Sequence, residues 1–321
     1  MGTRKLMFNR QFSDNAAAIL WVTAGTALFT LVFASGKFAS GSASPLQILF
    51  LRYVGGLVTL AVVVWRFGGS FRSYKSDKPS MHLVRAFLGS YGGVAAIYAA
   101  ANMPIVDATA IGLLQAVFTV VLGIMIFGDR ITKPHWIGIV LCCGGAAIVV
   151  GSKGAFRSIE FIYLVPASAA FLGAILIAFE SIMIKKLATS EKTMTVLLYV
   201  NAFGILLLAV PAVLTWRSTD VVANLPFVFL GPLAITAQYF VIKGYRMADV
   251  SLLGPVDYTW IVFAGIVGYF YFGETPTTGV VAGSAVIVGG GVILAFVKSP
   301  RRDVSPAADV VLNPCAAAAR H

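Results

Sequence analysis

Ten runs of mostly apolar residues, each close to twenty long, divide this sequence. They fall at 16–36, 45–66, 80–101, 107–127, 134–151, 161–184, 193–215, 225–246, 251–272 and 277–297. About 20 such residues make a helix long enough to cross the hydrocarbon of a bilayer, so the pattern predicts an all-α integral membrane chain of ten transmembrane helices. Composition agrees: 59% of the residues are hydrophobic and 12% charged, against about 45–50% and about 25% for a soluble domain. No alternating apolar and polar pattern of a β-barrel is present, and a helical bundle satisfies the backbone within each span. Pro45, Pro79, Pro134 and Pro276 stand at or near the starts of runs, where a missing N–H costs nothing.

The formal net charge of +11 raises the question of nucleic acid, and the placement of Lys and Arg answers it. With the N-terminus in the cytoplasm, the inner segments hold Arg4, Lys5, Arg10, Arg66, Arg72, Lys75, Lys78, Arg130, Lys133, Lys185, Lys186, Lys192, Lys243, Arg246, Lys298, Arg301 and Arg302. The outer segments hold Lys37, Lys153, Arg157 and Arg217. This asymmetry is that of a membrane protein with both termini inside, and it argues against a nucleic-acid partner. The expected boundaries are a cytoplasmic N-terminal segment over 1–15, helical repeats over 16–151 and 161–297, and a disordered cytoplasmic tail over 298–321.

The two halves repeat. A shift of 145 positions brings Phe127-Gly128-Asp129 onto Phe272-Gly273-Glu274, Gly123 onto Gly268, Gly138 onto Gly283 and Gly144-Gly145 onto Gly289-Gly290. Each unit has five helices. An odd number turns the second unit upside down relative to the first, and inverted repeats of this kind are typical of secondary transporters.

Two stretches carry a family resemblance: LGSYGGVAAIYAAANMPIVDATAIGLLQAVFTVVLGIMIFGDRITKPHWIGIVLCCGGAAIVV (88–150) and YRMADVSLLGPVDYTWIVFAGIVGYFYFGETPTTGVVAGSAVIVGGGVIL (245–294). Both resemble EamA-type domains of the drug/metabolite transporter superfamily. The resemblance implies ten helices, two inverted five-helix repeats and an acidic residue closing the fourth helix of each repeat. Asp129 stands where Glu is commoner. The segment around Asp257 is most similar to the branch that includes S-adenosylmethionine and riboflavin uptake carriers, with aromatic amino-acid exporters more distant.

Asp257 is the most telling single residue. Lying six residues beyond Ser251, it is roughly 9 Å along its helix, where a bare charge costs about 2.5–3.5 kcal/mol. It needs a partner, a cavity or a proton. The expectation is a cavity residue that binds a cationic part of a solute or takes the coupling proton; the alternative is a paired structural carboxyl. Gly254 and Pro255 just before it are able to break or kink the helix.

Tyr258 and Trp260 offer rings to a planar ligand or to the core. Arg52, about seven residues inside the second run, either receives a substrate carboxylate, pairs with a carboxyl or snorkels outward. Tyr98, Gln115 and Gln238 are candidate substrate contacts, with interhelical hydrogen bonds as the competing use. Glu180 is a gating or cavity-mouth candidate. Asp129 and Glu274 close their helices as structural or gating groups, Arg130 being the expected partner of the first. Arg85 reads as an interfacial anchor. Gly279 and Gly283 form a GxxxG, expected to pack on the fourth and ninth helices.

An enzyme would need a nucleophile with a base, a metal set or a His cluster. The histidines are His82, His135 and His321, all at run edges or in the tail. No phosphate-binding loop appears, so no catalytic residue, metal or cofactor is assigned. Channel-type filter loops are absent as well. The sequence therefore predicts a secondary carrier of a small organic metabolite in the bacterial plasma membrane, an exporter of amino acids or toxic metabolites being the second reading. Its partners are that solute, the lipid bilayer and protons as a candidate coupling ion, with a monomer or homodimer as the assembly.

Overall fold

The computed structural model describes residues 2–38, 43–67, 69–103, 111–129, 132–152, 164–217, 221–273 and 275–296. Glu274, Arg130 and the 298–321 tail lie outside the described residues. Ten helices and no strand occur among them: α1 (Gly2–Phe38), α2 (Pro45–Arg66), α3 (Pro79–Asn102), α4 (Leu114–Phe127), α5 (Lys133–Ser152), α6 (Leu164–Ser190), α7 (Thr193–Leu214), α8 (Val221–Met247), α9, which runs from Val250 to Phe272 in three sections, and α10 (Thr278–Phe296). Seven of these are long and apolar enough to cross a membrane, α4 and α10 are apolar but shorter, and α3 completes the ten.

Local chemistry sets the helix ends. Ser44 caps α2 reciprocally: its Oγ accepts from Gln47 N–H at 3.1 Å while Gln47 Oε1 accepts from Ser44 N–H at 3.4 Å, the capping-box arrangement. Gln47 also holds the ends of two other helices, donating to Asn224 Oδ1 at 2.8 Å and accepting from Arg217 N–H at 3.1 Å. At the repeated Phe-Gly pairs, Gly128 and Gly273 have φ of 66° and 65°. A residue without a Cβ enters this left-handed region freely and terminates the helix, so α4 and α9 stop in the same way, 145 residues apart.

The helices pair as a two-fold exchange of the halves requires. α3 lies along α6 as α8 lies along α1, α4 meets α6 as α9 meets α1, and α3 meets α7 as α8 meets α2. Three pairs of corresponding helices, α2 with α7, α4 with α9 and α5 with α10, pack on each other, and they do so antiparallel. A Cβ at Gly138 of α5 would meet Leu294 and the Gly290 carbonyl of α10, whereas one at Gly145, two turns later, would meet Gly283 and Ile287, two turns earlier. The 145-residue shift carries each contact onto the other. Gly254 of α9 lies against Ala116 and Val120, and Gly123 of α4 against Ser251, in the same reversed order. A repeat whose equivalent helices run in opposite directions is inverted.

Gly279 and Gly283 pack chiefly on α5, against Ser152, Gly145 and Val149, a correction to the expected contact with the fourth and ninth helices. The cause is the symmetry itself: α10 meets its own equivalent, and small residues let the two backbones approach.

Candidate functional site

α9 is not a uniform helix. It turns as an α-helix over Val250–Leu253, tightens to a 3-10 turn over Gly254–Tyr258, and resumes over Thr259–Phe272. Pro255 has no N–H to give and Gly254 is pressed against Ala116 and Thr119, so the ladder changes register at this point. Asp257 lies within the tightened turn, among neighbours that are all buried. Gln115 of α4 donates to its Oδ2 at 3.3 Å. A single neutral donor is a thin satisfaction for a carboxylate, which can accept several hydrogen bonds.

Around Asp257 the structure gathers charges from helices far apart in sequence. Glu180 of α6 lies within electrostatic range of Asp257, Arg85 and Arg52. Its Oε1 lies 3.9 Å from Arg85 Nε, longer than a hydrogen bond. The Glu180 carboxylate rests on Gly89, one turn along α3 from Arg85, where a Cβ would come within 2.6 Å of it. Tyr53 stands beside the two arginines: its ring lies 4.4 Å from the Arg52 guanidinium carbon, and its hydroxyl is 3.3 Å from Ser90 Oγ. Tyr245 of α8 lies within electrostatic range of both carboxylates and beside Ser181, whose Oγ donates to the Ile177 carbonyl at 3.2 Å.

Arg85 is only 1% exposed and faces Glu180, which corrects its reading as an interfacial anchor. Six residues of helix place it roughly 9 Å inside α3, and the facing carboxylate holds it there. Arg52 is 8% exposed, turned inward over Tyr53, not outward to the interface. Buried Nε of Arg52 and Nε and Nη1 of Arg85 have no hydrogen-bond partner.

The remaining candidates divide. Tyr258 is 3% exposed, and its hydroxyl donates to the Leu113 carbonyl at 3.1 Å with Cys143 Sγ at 3.4 Å, so its polar tip is committed to α4 and α5. Trp260 follows Asp257 by three residues and keeps a buried, unpartnered Nε1; Gln238, two turns before Tyr245 on the same face of α8, keeps an unpartnered Oε1. Tyr98 is 44% exposed and stands apart from the charged cluster. Asp129 accepts from Ser251 N–H at 3.1 Å. It thereby caps the N-terminus of α9 from the end of α4, a favourable place for a carboxylate.

With this geometry in place, comparison with known proteins decides the family. The model of the EamA-like transporter family matches residues 16–151 and 165–296. The chain belongs to that family. It is a small-metabolite transporter, not an enzyme, and an integral membrane protein. An S-adenosylmethionine uptake transporter of Rickettsia bellii is 23% identical over 253 residues, 78% of this chain and 84% of the relative. The pseudopaline exporter CntI of Pseudomonas aeruginosa is 24% identical over 277 residues, covering 85% and 93%. A riboflavin transporter of Vibrio cholerae is 24% identical over 278 residues, covering 84% and 89%. Among solved structures, one crystal structure superposes with a TM-score of 0.74 at 21% identity, covering 87% of this chain and 98% of the other. The two chains share one fold.

Proposed function

We propose that this EamA-like protein is a secondary carrier that moves a small organic metabolite by alternating access, with Asp257 receiving the cationic part of the solute. One observation supports it above the others. Two positive and two negative charges, Arg52, Arg85, Glu180 and Asp257, come from four helices of both repeats, and Glu180 stands inside the bundle within electrostatic range of the other three. Such a cluster is costly in a membrane protein unless it serves a solute or ion pathway. Inverted repeats that pack on each other along equivalent helices provide the rocking frame that alternating access needs.

Trp260 and Gln238 offer unpartnered polar atoms and apolar surface to an amphipathic solute. S-adenosylmethionine and an aromatic amino acid are the first solutes to try, with riboflavin, which has no cationic group, as the contrast. Relatives are named for both uptake and export, and uptake leads because four Rickettsia relatives carry that name. Both termini in the cytoplasm of a bacterium is the orientation that the Lys and Arg distribution favours.

Counterflow in proteoliposomes tests the reading. Vesicles preloaded with unlabelled solute are expected to accumulate the same labelled solute transiently without a pH gradient, and Asp257→Asn is expected to lower that rate at least about tenfold while inserting normally. Leakage without trans-stimulation would point to a channel, and full activity of Asp257→Asn would remove the carboxylate from the mechanism.

A further inference from the structure

Arg85 is nearly sealed from solvent, yet two of its donors point at no acceptor, and the Glu180 carboxylate that faces it stands too far off to hydrogen-bond. A guanidinium presents five N–H donors in a planar fork that matches a carboxylate two at a time. Leaving such donors unmet inside a protein costs more than the bond itself contributes. Arg52 adds a buried donor without a partner from helix α2, and Tyr53 interacts with both arginines. Gly89, bare of side chain, leaves the space in which Glu180 rests.

We infer that Arg85, with Arg52, forms an anion subsite for a carboxylate of the transported solute, and that Glu180 is the resident counterion which this carboxylate replaces. The inference rests on the carrier reading and narrows its substrate class. Two guanidinium groups and two carboxylates make a cluster of zero formal charge. A zwitterion preserves that balance on entry: its carboxylate meets Arg85 and Arg52, and its cationic group meets Asp257 and the displaced Glu180. A simple cation or a simple anion would leave one pair of charges unmatched in low dielectric. The solute is accordingly one that carries both a carboxylate and a cationic centre, with an apolar or planar body.

The test uses the purified full-length protein and two matched pairs of probes: S-adenosylmethionine with its decarboxylated form, and L-phenylalanine with L-phenylalaninamide. Binding is measured by calorimetry or ligand-induced thermal shift. At least one carboxylate-bearing probe is expected to bind about tenfold or more tightly than its partner. Arg85→Gln is expected to erase that ratio by weakening the carboxylate member alone. Glu180→Gln, which removes the competitor but keeps the shape, is expected to widen that ratio, since the carboxylate member loses its rival for Arg85 while its partner only loses a carboxylate that meets its cation. A merely structural ion pair would instead lose stability in both variants and shift both members of a pair equally, which overturns the subsite. So does a carboxylate-free probe that binds as well as its acid, and so does a lack of binding by all four. Failure of the carrier reading looks different: the ratio and both variant effects persist, but counterflow is absent.

Discussion

At the scale of single residues, depth is the legible quantity and direction is not. Asp257 lies six residues into its span, and Arg85 lies nearly as deep, five residues into its own. A long Arg stem is able to reach an interface from that depth, so the sequence alone leaves Arg85 at the membrane surface. Only the approach of α6, which brings Glu180 over Gly89, turns it inward. Tyr53, Ser90, Ser181 and Tyr245 were invisible for a related reason. Hydroxyls are common in spans, and a contact between α2 and α3 or α6 and α8 has no local signature. Asp129 was legible as a group needing a partner, but the partner is a backbone N–H, which no side-chain pattern reports.

Asp129 also offers a pH test outside the spans. Burial pushes its carboxyl above the ordinary value of 3.8, and the Ser251 N–H opposes that rise without cancelling it. The folded protein therefore holds this proton more tightly than the unfolded chain. Stability from this source is complete below the unfolded value and declines as pH rises through the raised folded value. Asp129→Asn keeps an acceptor for Ser251 and removes the titration. Its thermal midpoint in detergent is expected to gain on the native protein as pH rises from about 4 to 7, whereas a constant difference would show that the carboxyl does not titrate in this way.

At the scale of helices, small residues decide which faces touch. The tightest contact joins α2 to α8, where a Cβ at Gly231 would overlap the Gly55–Gly56 peptide. Gly291 on α10 has open space at the same position. Gly231→Ala is expected to destabilise the protein by about 1–3 kcal/mol through forced backbone separation. Gly291→Ala is expected to be neutral or to stabilise by up to about 1 kcal/mol through helix propensity. Unfolding midpoints in detergent compare the two, and equal effects would mean that the α2–α8 contact yields freely. The sequence displayed the GxxxG of α10 clearly but not its partner, because packing between α5 and α10 follows from the exchange of halves and leaves no mark on α10 alone. Span starts and stops were read closely where Pro, Ser44 and the two left-handed glycines mark them.

At the scale of the whole molecule, the repeat was the readable feature, since a shift of 145 positions exposes it without structure and five helices per unit force the inversion. The antiparallel pairing of α5 with α10 and of α4 with α9 is its consequence in space. Hidden from sequence was that both halves would deliver charge to one place: Arg52 and Arg85 from the first, Glu180 and Asp257 from the second. In the proposed mechanism this place opens to each side of the membrane in turn. Labelling of Gln115→Cys, beside Asp257, in a chain whose native cysteines are replaced by serine, tests it without knowledge of the solute. A membrane-impermeant maleimide is expected to modify that cysteine both in right-side-out and in inside-out vesicles. Modification from one face alone, or from neither, would contradict alternating access.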